Sequence, residues 1–296
     1  MLRTAPHYCS AIRNAALSVA LLLALTSSAH AQLLAYEPFN YSAGTGFNSI
    51  PTTATGFTGS VRFEYELPVI STIGSGSLYY DDGVNALPTS SNYYYNGHGA
   101  LFENFDTTGA FASYLRGSAI GANGTTLYMS VLIKIVGPQN NFAGFALSRG
   151  GDPDANRVLS IDTWTGHTSS DYFVTKWSPT NIDAGDADLG FVNQTSNLFV
   201  LRFDFGNSGT DTVSVYANPQ LGVQPGSPTA QLTGSDFSFD RMDIRDFGAF
   251  TISADEIRVG TTYASVAPIP EPGETTLLAG AATLALAALR RRALAR

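Results

Sequence analysis

Leu198-Phe199-Val200-Leu201-Arg202-Phe203-Asp204-Phe205, then Asn207-Ser208-Gly209-Thr210-Asp211, then Thr212–Tyr216 is the passage that decides the fold. Leu201, Phe203 and Phe205 share one side of an extended chain, and Arg202 and Asp204 share the other. That period of two is the signature of a half-buried strand. The Asn-Ser-Gly-Thr-Asp stretch between two such runs predicts a hairpin loop. Working outward, similar runs occur at Val61–Leu67, Leu127–Val136, Phe142–Ser148, Val158–Asp162, Tyr172–Trp177 and Phe250–Val259. Gly, Asn, Asp, Ser and Pro clusters separate them, and no stretch sustains a 3.6-residue period for more than two or three turns. The expected class is all-β, a β-sandwich of jelly-roll type.

The two ends differ from this core. Arg3 and Arg13, the apolar run Ala15–Leu25 and the closing Ala29-His30-Ala31 have the three parts of a secretory signal peptide, so 1–31 is expected to be removed. The only cysteine, Cys9, lies inside that segment, which leaves the exported chain without thiol chemistry, disulfides or cysteine-bound zinc. At the other end Pro268, Pro270 and Pro272 stop regular structure, so the sandwich is expected to occupy 32–267 and a distinct tail 268–296. Within the tail, Thr275–Leu289 carries no charge and is followed by Arg290-Arg291-Arg292. Its length falls short of the ~17–25 residues of a comfortable span. The arginines behind it favour the cytoplasmic side. The pattern predicts a short stop-transfer helix that passes transiently through the inner membrane.

Pro270-Glu271-Pro272 before an apolar helix and a terminal arginine cluster resembles a PEP-CTERM sorting signal. That resemblance implies a Gram-negative bacterial protein whose tail is processed by an exosortase near the Pro-Glu-Pro. It also implies delivery to the envelope, outer surface or extracellular matrix, in a setting of exopolysaccharide production. The core resembles the concanavalin A-like lectin/glucanase (laminin-G-like) sandwiches. The residues that carry this are Tyr36–Tyr41, Gly76-Ser77-Leu78-Tyr79-Tyr80, Asp240–Arg245 and Asp255–Tyr263. The resemblance implies that the first and last strands pair near one edge, with Glu256–Gly260 as the closing strand.

Charge narrows the partners. Removing both ends takes away six of the 16 basic and two of the 24 acidic residues, leaving 10 and 22. Such an acidic domain argues against nucleic acid and anionic membranes as partners. Catalytic constellations are sparse. The core's glutamates are Glu37, Glu64, Glu66, Glu103 and Glu256, and only Glu64 and Glu66 have the two-residue spacing that sets two carboxyls on one strand face. No third acid completes a glycosidase motif, and a solvated outer face explains their alternation. His98 and His167 lack the spacing of a zinc site or a triad. Asp152, Asp154 and Asn156 place oxygen side chains two apart, as a structural calcium would require, and Asp183–Asp188 is similar; Asx-turns account for both equally well. Tyr93, Tyr94 and Tyr95 in a polar loop, with Trp164 and Trp177 flanking another, are the candidate carbohydrate-binding aromatics, since three consecutive tyrosines cannot all face inward.

The expected function is therefore a non-catalytic surface or matrix protein that binds polysaccharide. The alternatives are a structural matrix protein with no specific ligand, and a divergent glycan hydrolase or lyase. Fractionation of cells that carry the processing enzyme checks the tail. The chain is expected to be cut near Pro270-Glu271-Pro272 and recovered in the envelope or medium, and a chain truncated after Ala267 is expected to show no such cut.

Overall fold

The computed structural model divides into Met1–Gln32 and Leu33–Arg296. It describes residues 32–44, 54–63, 71–90, 92–96, 99–137, 142–150, 156–163, 171–178, 181–192, 195–235, 237–246 and 251–269. The strands of the first half are β1 (Leu33–Glu37), β2 (Phe57–Phe63), β3 (Ser71–Ser75), β4 (Asn92–Asn96), β5 (Gly99–Phe105), β6 (Leu115–Arg116), β7 (Ala119–Ile120), β8 (Thr126–Val136) and β9 (Ala143–Ser148). Those of the second half are β10 (Arg157–Thr163), β11 (Asp171–Ser178), β12 (Asn181–Val192), β13 (Asn197–Asp204), β14 (Thr210–Ala217), β15 (Ala230–Ser235), β16 (Arg241–Asp246) and β17 (Thr251–Gly260). The described α-helix is one turn, α1 (Tyr263–Val266). Among the described residues no helix is long and apolar enough to cross a membrane.

Two antiparallel sheets form the sandwich. One has eight strands in the order β15-β14-β13-β8-β17-β4-β3, with β1 also on β17, and the other has seven in the order β12-β11-β10-β9-β16-β5-β2. The expected all-β sandwich is what the chain forms. The hairpin expected at Asn207–Asp211 joins β13 to β14, whose register runs from Phe199 opposite Ala217 to Asp204 opposite Thr212. The closing strand also lies where expected, with Glu37 opposite Ile257 and Tyr36 opposite Arg258. It is an interior strand, however, because β8 occupies its other side along most of its length.

The period-two rule explains the core. Leu201, Phe203, Val213, Val215, Met129 and Val131 on one sheet meet Phe145, Leu147, Leu159, Ile161, Met242 and Ile244 on the other in one buried apolar cluster. A second cluster lies on the opposite face of the eight-stranded sheet, where Leu132, Leu198 and Val200 are covered by Leu78, Tyr80, Leu87, Leu221, Tyr263 and Val266. The segments 76–90 and 218–224 thus pack onto a sheet face instead of standing in solvent. That cover explains why β8 and β13 read as nearly continuous apolar runs.

Phe203 is fully buried, stacks on Phe205 and packs at a tilt against Phe239, whereas Arg202 and Asp204 form an ion pair at 2.9 Å with both side chains about a third exposed. Phe203→Ala is expected to cost about 3–5 kcal/mol in urea unfolding. Arg202→Ala should cost no more than about 1 kcal/mol.

Candidate functional site

β17 carries a β-bulge: Asp255 pairs with Leu132 and Arg258 with Ser130, so three steps on one strand match two on its neighbour. Glu256, the extra residue, takes a left-handed backbone with φ of 53°, a conformation costly for a residue with a side chain. What holds it there is a set of buried polar bonds. Glu256 accepts from the Tyr36 hydroxyl at 2.7 Å, from the Arg258 guanidinium at 2.6 Å and from the Ser90 backbone N–H. Asp255 accepts from the backbone N–H of Leu78 at 3.1 Å and of Glu256 at 2.9 Å. Arg258 also donates to the Pro88 carbonyl at 2.6 Å and lies 5.3 Å over the Tyr36 ring. The two ends of the 78–90 segment are therefore fastened to the bulge.

Between those ends the segment folds into a small hairpin. The Leu87 N–H donates to the Tyr80 carbonyl and the Asp82 N–H to the Asn85 carbonyl. Asp82 accepts from the N–H groups of Val84 at 2.8 Å and Asn85 at 2.7 Å, and from Leu221 N–H at 2.8 Å, which ties the hairpin to the 219–223 loop. The Tyr80 hydroxyl donates to the Pro219 carbonyl and that of Tyr263 to the Gln220 carbonyl, at 2.6 and 2.7 Å. Opposite stands Asn218, whose backbone is also left-handed (φ 46°), with its side chain bonded to Leu198 N–H and to Asn197.

These two loops enclose a cleft of about 540 Å³ lined by Tyr79, Tyr80, Asp81, Asp82, Ser196, Asn218 and Gln220. Tyr79 is 64% exposed, an aromatic ring presented to solvent beside two carboxylates, two amides and a hydroxyl. A hydrogen bond to the Asp81 carboxylate raises the Tyr79 phenol above its ordinary value, so the ring stays neutral. The backbone N–H groups of Asn85 and Leu221 hold the Asp82 carboxyl below the usual carboxylate range, so it stays ionised. The lining offers both donors and acceptors. That is the equipment for gripping a polyhydroxylated ligand with one flat apolar face.

The residues singled out in the sequence fare differently. Tyr93, Tyr94 and Tyr95 belong to β4, not to a loop, and pair with β3 and β17. Tyr94 is fully buried in the core, stacked on Phe39. The Tyr93 ring lies over Gly74, occupying the space a Cβ there would need, and Tyr95 is half-buried. Trp177 falls on β11. Asp183–Asp188 is also strand, within β12, paired to β11. Trp164, Asp152, Asp154, His98, His167, Glu64, Glu66, Pro270, Glu271 and Pro272 lie outside the described residues, whereas Asn156 directly precedes β10. Among the described residues no cluster of three His, Cys, Asp or Glu side chains is arranged to hold a metal ion.

The remaining glutamates are interior. Glu103 is buried within β5. Glu37 accepts from Phe39 N–H at 2.6 Å and the Tyr41 hydroxyl at 2.8 Å. Burial raises the pKa of the Glu37 carboxyl. Sequence reasoning also missed a buried polar layer on the outward side of the seven-stranded sheet. There Arg245 donates to Asp243 at 2.6 Å with both side chains fully buried, and Ser160 donates to Asp162.

No protein family model matches the chain, and no curated protein sequence matches it. Among solved structures it is similar to an endo-β-1,4-glucuronan lyase from the fungus Trichoderma reesei, at 13% identity over 76% of this chain and 98% of that one, with a TM-score of 0.45. A structure reported with endo-acting O-glycanases of the human gut microbiota that initiate mucin breakdown is similar at 12% identity over 78% and 99%, TM-score 0.43. The lumenal domain of VIP36, bound to calcium and Man3GlcNAc, is similar at 9% identity over 60% and 80%, TM-score 0.37. Likeness this distant concerns the sandwich architecture and assigns no ligand or reaction.

Three interior carboxyls carry a pH signature. Burial raises Glu37 and pushes Asp246 up to about 7 and Asp255 up to about 9. In the unfolded chain such groups titrate near ~4. The folded state therefore binds protons more tightly, and the stability this provides is full below ~4 and declines as pH rises through these values. The urea midpoint is expected to be higher at pH 5 than at pH 8.5. Asp246→Asn should flatten the part of that decline below about pH 7.

Proposed function

We propose that this chain is an exported, non-catalytic protein of the bacterial envelope whose concanavalin A-like sandwich binds polysaccharide at the Tyr79 cleft. The observation that carries the reading is the cleft itself: an exposed tyrosine ring fixed among Asp81, Asp82, Asn218, Gln220 and Ser196. The C–H face of a sugar ring stacks on such a ring, and its hydroxyls exchange water for the amide and carboxylate partners around it. Both carboxylates are already engaged by their own loop, since Asp81 accepts from Gly83 N–H at 3.0 Å and Asp82 from three backbone donors. Glycoside hydrolysis needs a carboxyl kept protonated at neutral pH. A carboxylate held low, as Asp82 is, suits binding.

Delivery follows from the tail as read in the sequence. An exosortase acts near Pro270-Glu271-Pro272, the inner membrane holds the tail until then, and the partner outside is exopolysaccharide. The acidic surface favours neutral polymers over acidic ones.

Titration calorimetry with soluble neutral polysaccharides tests the reading. Tyr79→Ala is expected to weaken binding about tenfold, the value of one lost aromatic contact of ~1.4 kcal/mol. Its melting temperature should be unchanged, because the ring is exposed. Silence across neutral and acidic polymers would favour a matrix filler without a ligand. Affinity that survives Tyr79→Ala would move the site elsewhere.

A further inference from the structure

The three most exposed large apolar side chains among the described residues are Val84 (81%), Tyr79 (64%) and Val223 (62%), and Ile269 follows at 45%. Scattered singly, such residues would need no explanation. These four converge on one place. Val84 is at the tip of the 80–87 hairpin, which Asp82 ties to Leu221 N–H. Val223 is two residues from Leu221. Gly222 takes the positive φ (75°) that a side chain would strain, and the Ile269 side chain lies against it.

The same place is where the chain leaves the sandwich. α1 is capped by Thr262, whose side chain accepts from Ser265 N–H at 3.2 Å. Ser130 donates to the Val266 carbonyl at 2.7 Å, and Gly222 N–H donates to the Ala267 carbonyl at 2.7 Å. Val266 and Ala267 are fully buried. The exit point is therefore fixed by packing and by hydrogen bonds up to Ala267.

From Ile269 to Thr275, the first residue of the uncharged stretch Thr275–Leu289, is six residues. At full extension six residues reach about 20 Å. A domain tethered so closely cannot stand clear of a bilayer that holds the stretch. We infer that the Val84–Val223–Ile269 rim docks on the lipid–water interface while the tail is inserted, so that the domain is oriented on the membrane and not merely leashed to it. The inference rests on the reading that Thr275–Leu289 enters a bilayer. Aliphatic side chains at a tether point suit the interface, and a tyrosine beside them is a residue type favoured there. Asp81 and Asp82 next to the rim direct the fit to a zwitterionic surface. The polysaccharide cleft shares both loops with the rim, so docking narrows a polymer's access to it until the tail is cut.

The test uses the chain from Gln32 to Arg296, which lacks cysteine, reconstituted in phosphatidylcholine vesicles with brominated acyl chains. A bimane label is attached singly at Val84→Cys, Val223→Cys or Asp186→Cys, the last being exposed on β12 of the other sheet. The expected result is co-flotation of all three proteins with the vesicles, loss of fluorescence at positions 84 and 223, and none at 186. Co-flotation with labels 84 and 223 as bright as 186 would overturn the docking while leaving insertion of the tail intact. Failure to float would overturn insertion, and docking with it. Labels at 84 and 223 that stay bright, while the unlabelled thiols at those positions are oxidised to disulfides between two copies, would overturn the docking in favour of self-association.

Discussion

The interaction on which the arrangement depends is the buried acidic knot at the β17 bulge. Glu256 is forced into a left-handed backbone inside an interior strand, and the cost is offset by the tyrosine, guanidinium and backbone groups that converge on its carboxylate. Such a device is stable only if every buried charge is partnered. The partners come from far apart in sequence: Tyr36 on the first strand, Leu78 and Ser90 at the two ends of one loop, and Arg258 two residues on. One irregular residue thus fastens the N-terminal strand, the closing strand and the 78–90 segment together. It also separates the partners on one side of β17, where β4 pairs with Ile252–Ala254 and β1 with Ile257–Gly260.

What the knot positions is the outer cover of the eight-stranded sheet. With its ends fixed, the 78–90 segment can lay Leu78, Tyr80 and Leu87 on the sheet while turning Tyr79 and Val84 to solvent. Packing below and exposure above come from alternate residues of the same short stretch. The 218–224 loop and the exit of the tail are locked to it through Asp82, Tyr80 and Tyr263. Cleft, rim and tail exit are therefore one assembly on one side of the sandwich, and they form a continuous path from the bulge to the surface.

The strands were legible where one face is buried and the other wet, as at Leu201-Arg202-Phe203-Asp204, because period two is imposed by that asymmetry. β4 was not, because three tyrosines between asparagines look like a loop unless Gly74 opposite leaves room for one ring and the core takes another. β12 was hidden by aspartates, which the sheet tolerates on an exposed edge strand. The buried acids were the least legible part. An Asp-Glu pair such as Asp255-Glu256 looks solvated in sequence, and only the pairing of distant segments provides the donors that keep it inside. Tyr79 stood in the sequence as part of a fold marker. The available hint of a site was the turn-forming Asp81-Asp82-Gly83-Val84-Asn85 directly after it, which had to lift one neighbour away from the sheet.

The claim that the bulge fixes the loop bearing the cleft is tested most directly by native-state amide hydrogen exchange in the unaltered protein. The account predicts that the N–H groups of Leu78 and Ser90 exchange as slowly as those in the middle of β8 and β13, through global unfolding, while Gly83 and Val84 at the hairpin tip exchange by local opening. Leu78 and Ser90 exchanging as fast as the tip would show that the carboxyl groups of Asp255 and Glu256 do not hold the segment, and would contradict the account.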